Sequence, residues 1–217
     1  MKKSILLLLA VTLSFTSFAQ GEFKEGKVVS TQTMSSDDEA MNSQLAMVGD
    51  VVTTTYVKGT KSRSEVSSPM TGDVVTISDN ESKKLLMLMD DPMGGKNYMT
   101  IDMDPAQAQV ENIEVKNRDD KKTVLGYDCD GYDVTMKAGG QEVEMTIYTT
   151  KKIKAFSQQS QMYGDKIEGF PMHFVMNMSQ MGKNITIENT VTDIKEGPVS
   201  GDKFNMTPPE GYKEMKQ

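Results

Sequence analysis

The sequence predicts a mainly β protein whose antiparallel sheet curls instead of lying flat. Three observations carry that expectation. Short runs with apolar–polar alternation at period two recur along the chain, separated by Gly, Asn, Asp and Pro. The densest run, Val51-Val52-Thr53-Thr54-Thr55-Tyr56-Val57, is β-branched almost throughout, which suits a pleated surface. The inward phase also breaks once, because Val124, Tyr127 and Cys129 do not share a phase with Tyr132, Val134 and Met136. One extra residue near Gly131 restores a single inward face, and a β-bulge of that kind bends its strand.

In chain order, residues 21–34 read as a first strand. Ser36-Asp37-Asp38-Glu39 is a capping-box arrangement with acids in the first turn. Met41, Leu45 and Val48 then fall on one helical face, and Gly49 supplies a stop. Strands follow at 50–58 and 61–66, then at 74–78 and 83–89 around the turn Asp79-Asn80-Glu81-Ser82. After Asp91-Pro92-Met93-Gly94-Gly95, Met99, Ile101 and Met103 alternate with Tyr98, Thr100 and Asp102. Residues 123–137 pair with 141–149 across Ala138-Gly139-Gly140. Residues 155–163 are a second short helix candidate, with Phe156 and Tyr163 one heptad apart, and a Phe/Met-rich strand follows from Phe170. About ten strands result, with two helices too narrow in their apolar stripe to build a core alone. Nothing divides the chain after the first twenty residues, so residues 20–217 read as a single domain.

Those first residues have their own pattern. Lys2 and Lys3 precede an apolar stretch from Ile5 to Phe18, and Ser17-Phe18-Ala19 offers a small-residue cleavage site. This is the pattern of a secretory signal peptide, residues 1–19, cleaved after Ala19. The apolar stretch is too short for a membrane span. No Cys follows it to carry a lipid anchor, and no transmembrane segment is expected in the mature chain. The expected location is periplasmic or secreted. Without Lys2 and Lys3 the chain keeps 22 basic against 31 acidic residues. Such an acidic protein lacks the attraction to phosphate that drives nucleic-acid binding. One Cys and one His exclude a disulfide framework and a His-cluster zinc site.

Nineteen methionines are the most informative feature. Phe170, Met172, Phe174, Met176 and Met178 share one face of a strand in simple alternation. The candidate apolar lining is Met99, Ile101, Met103, Tyr132, Val134, Met136, Val143, Met145, Ile147, Phe170, Met172, Phe174, Met176 and Met178. The helix carrying Met41, Leu45 and Val48 is its candidate lid. Met can simply fill a β core, or it can line a pliable pocket for a lipid or acyl chain. At roughly 0.8 kcal/mol per buried methylene, a chain of about a dozen carbons gains ~10 kcal/mol gross. A third reading is Cu(I) capture by thioethers, through Met87-Leu88-Met89 with Met93 and Met176-Asn177-Met178 with Met181. His173 lies beside the second group, but on a strand it points away from Met172 and Met176. No resident cofactor is expected.

Catalytic signals are weak. His173 has no nucleophile motif near it and reads as structural. Asp128 and Asp130 flank Cys129 and raise its thiol pKa, so it reads as a core residue. Asp119, Asp120, Asp128, Asp130 and Asp133 lack the ligand series of a calcium loop and read as a solvated face. The chain has no phosphate-binding glycine loop and no HExxH. It is expected not to be an enzyme. A structural or interaction module of the cell envelope remains the alternative to a ligand carrier.

The segment Lys122-Thr123-Val124-Leu125-Gly126-Tyr127-Asp128-Cys129-Asp130-Gly131-Tyr132-Asp133-Val134-Thr135 resembles a strand found in uncharacterised secreted envelope proteins. Tyr148-Thr149, Gly169-Phe170-Pro171-Met172, Thr192-Asp193-Ile194 and the ending Phe204-Asn205-Met206-Thr207-Pro208-Pro209-Glu210-Gly211-Tyr212 extend the resemblance over most of the chain. It is similar to the domain-of-unknown-function family numbered forty-four-twelve. That family in turn looks related in fold to the periplasmic lipoprotein carriers LolA and LolB. The resemblance implies an incomplete antiparallel β-barrel, helices across its open side and an apolar interior. It brings no catalytic residues.

Overall fold

The computed structural model describes residues 22–68, 72–103, 113–138, 141–155, 163, 166–180 and 182–215. The β-rich runs form β1 (Glu25–Ser36), β2 (Val51–Lys58), β3 (Lys61–Ser68), β4 (Gly72–Asp79), β5 (Lys84–Asp91) and β6 (Gly95–Asp102). They continue as β7 (Glu114–Val124), β8 (Tyr127–Ala138), β9 (Gln141–Thr150), β10 (Phe170–Gln180), β11 (Lys183–Glu196) and the two-residue β12 (Lys213–Glu214). All belong to one sheet in the order β12-β6-β5-β4-β3-β2-β1-β11-β10-β9-β8-β7. The architecture is two antiparallel meanders, β1 to β6 and β7 to β11, joined edge to edge by β1 and β11. Only β12 runs parallel to its neighbour. Among the described residues no ladder joins β7 to β6 or β12, so the sheet stays unclosed. The fold is mainly β, as the alternation predicts.

The one α-helix among the described elements is α1 (Glu39–Val48), and a single 3-10 turn follows at Gly201–Phe204. Its N-cap is Asp38, whose carboxylate accepts from the Met41 amide at 2.9 Å. The Lys183 ammonium pairs with the same carboxylate and holds it below its usual pKa. Asn184 bonds to Asp37, so the first residues of β11 anchor the helix start. Of the second helix candidate, only Ala155 and Tyr163 lie within the described residues.

Three differences from the sequence expectations have physical causes. Residues 123–137 are not one strand, because Leu125 (φ 50°) and Gly126 (φ 83°) make a two-residue turn between β7 and β8. Both central residues take positive φ, the geometry favoured in hairpins, but Leu at the first position hides the usual Asn-Gly signature. β7 itself shows no alternation because it is an edge strand, and charge on an edge blocks pairing with other chains. Next, the register break faces Gly131 from β7, between Asn117 and Lys121, while β8 pairs with β9 without interruption. Gly131 makes room for it. A Cβ there would lie 3.0 Å from the Tyr148 ring, 3.1 Å from the Asp120 carbonyl and 3.2 Å from the Arg118 Cβ.

Last, β10 does not keep Phe170 to Met178 on one face. Its register with β9 shifts between Pro171 and His173. Phe170 and Met172 therefore join one buried cluster with Phe23, Val28, Tyr127 and Cys129. Phe174, Met176 and Met178 join a second, with Tyr132, Val134 and Met145.

A third cluster lies on the other side of the sheet. There Ile77, Leu86 and Leu88 pack against Val199 and Phe204 from the C-terminal segment. Several polar contacts pin that segment. The Lys58 ammonium donates to the Val199 carbonyl at 2.8 Å, and the Val199 amide donates to Glu25 at 2.7 Å. Arg63 donates to the Lys203 carbonyl at 3.2 Å, and the Lys203 ammonium sits 3.9 Å from the centre of the Tyr56 ring.

Candidate functional site

Paired residues in neighbouring strands project to the same side. The register therefore places Val28, Thr55, Ser64, Thr76, Met87 and Met99 in one row across β1 to β6. From Val28 to Met87 this row lines a cavity of about 360 Å³, whose lining comes from β1, β2, β3, β4, β5, β10 and β11. In a flat sheet β5 and β10 would stand six strand spacings, or about 29 Å, apart. A single space of that volume reaches both only if the sheet wraps around it. The face carrying the row is therefore the concave, inner one.

Seventeen residues line the cavity, and none is charged. With 25% charged residues in the chain, a quarter of seventeen, about four, would be charged if side chains were placed at random. The alternation explains the result, because the charges of the same strands (Lys27, Lys58, Lys61, Arg63, Glu65 and Asp73) sit at the opposite-facing positions. Val28, Val51, Val66, Val74, Val191, Met87, Phe170, Pro171 and Phe174 give the cavity its apolar surface. The remaining lining is neutral and polar: Ser30, Gln32, Thr53, Thr55, Ser62, Ser64, Thr76 and Asn189. Thr55 and Ser64 hydroxyls meet at 3.0 Å, and Ser62 and Ser78 hydroxyls at 2.7 Å.

Of the residues singled out in the sequence, Phe170 and Phe174 border this cavity. Tyr132, Val134, Met136, Val143, Met145 and Ile147 lie under Tyr163 and Ile167 in a packed cluster, with Met176 and Met178 at its margin. Met172 is fully buried in the first cluster. Met99 and Ile101 lie on the inner face of β6, opposite Met87 and Leu85, and Met103 is buried just beyond. The lid positions Met41, Leu45 and Val48 are half-buried on α1, and none is among the described lining residues. The Ser/Thr part of the lining was missed from sequence. Its signal, hydroxyls at alternate positions (Thr53, Thr55 and Ser62, Ser64), resembles an ordinary solvated strand face.

The two Met-x-Met groups sit apart, on β5 and on β10. Met87 lines the cavity, Met93 is 98% exposed on the β5–β6 turn, and Met181 lies outside the described residues. His173 is buried, with Nδ1 2.9 Å from the Thr190 hydroxyl. Burial, helped by the Lys122 charge, pushes its pKa down. The five-aspartate stretch is largely engaged in pairs. Arg118 binds Asp120 at 2.6 Å and Asp133 at 2.8 Å, and Lys121 binds Asp130 at 3.0 Å. The Arg118 guanidinium and the Tyr148 hydroxyl together hold Asp120 down to about 2.

Residues 40–212 match the family described as Domain of unknown function (DUF4412). The chain belongs to that family. No curated protein matches this DUF4412 chain. Among solved structures it is similar to PNGF-II in the P21 crystal form, with a TM-score of 0.50 and 11% identity over 89% of this chain and 32% of that one. The C2 form gives a TM-score of 0.49 and 13% identity over 88% and 31%. The Mycobacterium tuberculosis lipoprotein LppX gives 0.34 and 8% over 81% and 89%. The DUF4412 chain spans about a third of the length of PNGF-II, and at these identities the likeness bears on fold alone. Among its described residues no helix is long and apolar enough to cross a membrane.

Two expected results follow from the groups best suited to chemistry. Cys129 is fully buried, and burial, reinforced by Asp128 and Asp130, pushes its thiol up to about 11. At pH 7 the folded protein is expected to resist a thiol reagent that labels it fully in urea; fast labelling of the folded chain would contradict the packing. His173 has a folded pKa below the usual 6.5, so the unfolded chain binds its proton more readily. Its contribution is present above pH 6.5 and lost as pH falls below it. The urea midpoint is expected to drop between pH 7.5 and 5, and His173→Gln to flatten that slope.

Proposed function

We propose that this is an exported, non-catalytic binding protein that holds a lipid or acyl chain against the inner face of its curled sheet. The uncharged cavity between β5 and β10 carries the reading. At about 360 Å³ it falls at the lower end of the range for small-molecule pockets, and its Val, Met and Phe surface offers the non-directional attraction that suits a hydrocarbon. His173 and Cys129 are both absent from its lining, and burial keeps the Cys129 thiol protonated, which favours binding over catalysis. The leader pattern at residues 1–19 supports a working chain of one domain, from residue 20 onward, in the periplasm or outside the cell. Its partner is then a lipid or a lipoprotein's acyl chain, not nucleic acid.

A thermal-shift series tests this. A ligand at about 100 times its Kd stabilises the folded state by ~2.7 kcal/mol, so the melting temperature is expected to rise with at least one lipid class. A flat response across neutral, anionic and zwitterionic lipids would overturn the proposal. A flat response would favour the second reading, an envelope interaction module. That reading draws on the β8–β9 part of the inner face, which is packed with Tyr163 and Ile167.

A further inference from the structure

We propose that the cavity selects an uncharged lipid whose head carries hydroxyl, ester or amide groups, in preference to a free fatty acid or a phospholipid. The inference rests on the carrier reading above and adds the chemistry of the head group. An ionised head moved into an uncharged pocket loses its hydration and meets no counter-charge, which is costly. No Lys or Arg lines the cavity to offset that loss for a carboxylate or a phosphate.

The polar side chains are not confined to a wet rim. Thr55 and Ser62 are 7% and 2% exposed, and Ser78 beside them 1%. They lie in the floor of the curl, where β2, β3 and β4 pair. In each hydroxyl pair one O–H donates to its partner, leaving the partner's own proton and the remaining lone pairs available. Among the described residues the side chains of Thr53, Thr76 and Asn189 make no hydrogen bond. The floor thus offers neutral donors and acceptors inside an apolar frame. Alcohols, esters and amides can use both kinds without bringing in charge. A site built to hydrogen-bond such groups also discriminates well, because a ligand lacking them leaves buried polar groups unpaired.

Isothermal titration of the purified protein at pH 8 with three twelve-carbon probes tests this: glycerol monododecanoate, dodecanoate and dodecylphosphocholine, each below its micelle concentration. The glycerol ester is expected to bind at least tenfold more tightly than either charged probe. Equal or tighter binding of dodecanoate or dodecylphosphocholine overturns the head-group inference while leaving the carrier reading standing. No binding by any probe overturns both. The double variant Thr55→Val/Ser64→Ala removes one hydroxyl pair together, so neither partner is orphaned. It is expected to shrink the ester preference at least threefold. An unchanged preference with a native-like melting curve overturns the role given to these hydroxyls. If that variant does not fold, Thr76→Val on the adjoining strand is held to the same criterion.

Discussion

Phe204→Ala is expected to be among the most destabilising single substitutions in the chain. Phe204 is 5% exposed and seals the apolar outer side of β4 and β5, where Leu86 is wholly buried and Ile77 nearly so. Truncating a buried Phe to Ala costs about 3–5 kcal/mol, because a cavity remains where the ring stood. For a chain of this size each kcal/mol moves the melting temperature by roughly 2–4 °C, so a fall of about 6–20 °C is expected. Scanning calorimetry reads it directly. A loss under about 1 kcal/mol would mean that the C-terminal segment is not seated on the sheet as described.

Val66→Trp is expected to abolish lipid uptake while leaving the fold intact. Val66 projects from β3 into the cavity, in register with Thr53 and Val74. An indole there occupies the space a ligand needs, so affinity is expected to fall at least a hundredfold. Stability separates an open space from a filled one. Overpacking a filled core costs typically 1–3 kcal/mol, whereas filling an existing void costs little or stabilises. The chain has no other Trp, so the new indole's emission also reports the polarity of its surroundings. Strong destabilisation together with unchanged binding would show that the cavity is not where the ligand sits.

The fold class was legible because the signals of a strand, period-two alternation and short β-branched or apolar runs, are local properties. The runs around Val51–Lys58 and Lys84–Asp91 declare themselves from a few residues. α1 was legible for the same reason, its start marked by Asp37, Asp38 and Glu39. β7 was not, since an edge strand carries charge where interior strands carry apolar side chains. The phase break near Gly131 was readable and was assigned to the strand that carries it, but the extra residues sit on β7, and which partner holds them is a matter of pairing that one strand's alternation does not record.

The site was harder for a reason of scale. Which apolar positions enclose a space, and which are filled by a neighbour, depends on how far the sheet curls and what crosses it. Met136 and Met145 look like lining in sequence and lie packed with Tyr163 and Ile167. Thr55 and Ser64 look like solvated strand residues and form part of the cavity floor. Alternation identifies the inner face, but not which half of it stays open.

The central claim is that the curled sheet holds a lipid in an uncharged space. Organic extraction of the protein purified from its exported compartment, followed by mass spectrometry, tests this most directly. One lipid per chain is expected in the extract, with a neutral head group, absent from Val66→Trp protein prepared in parallel. Wild-type protein that carries no lipid and takes none up on incubation with a total lipid extract would contradict it.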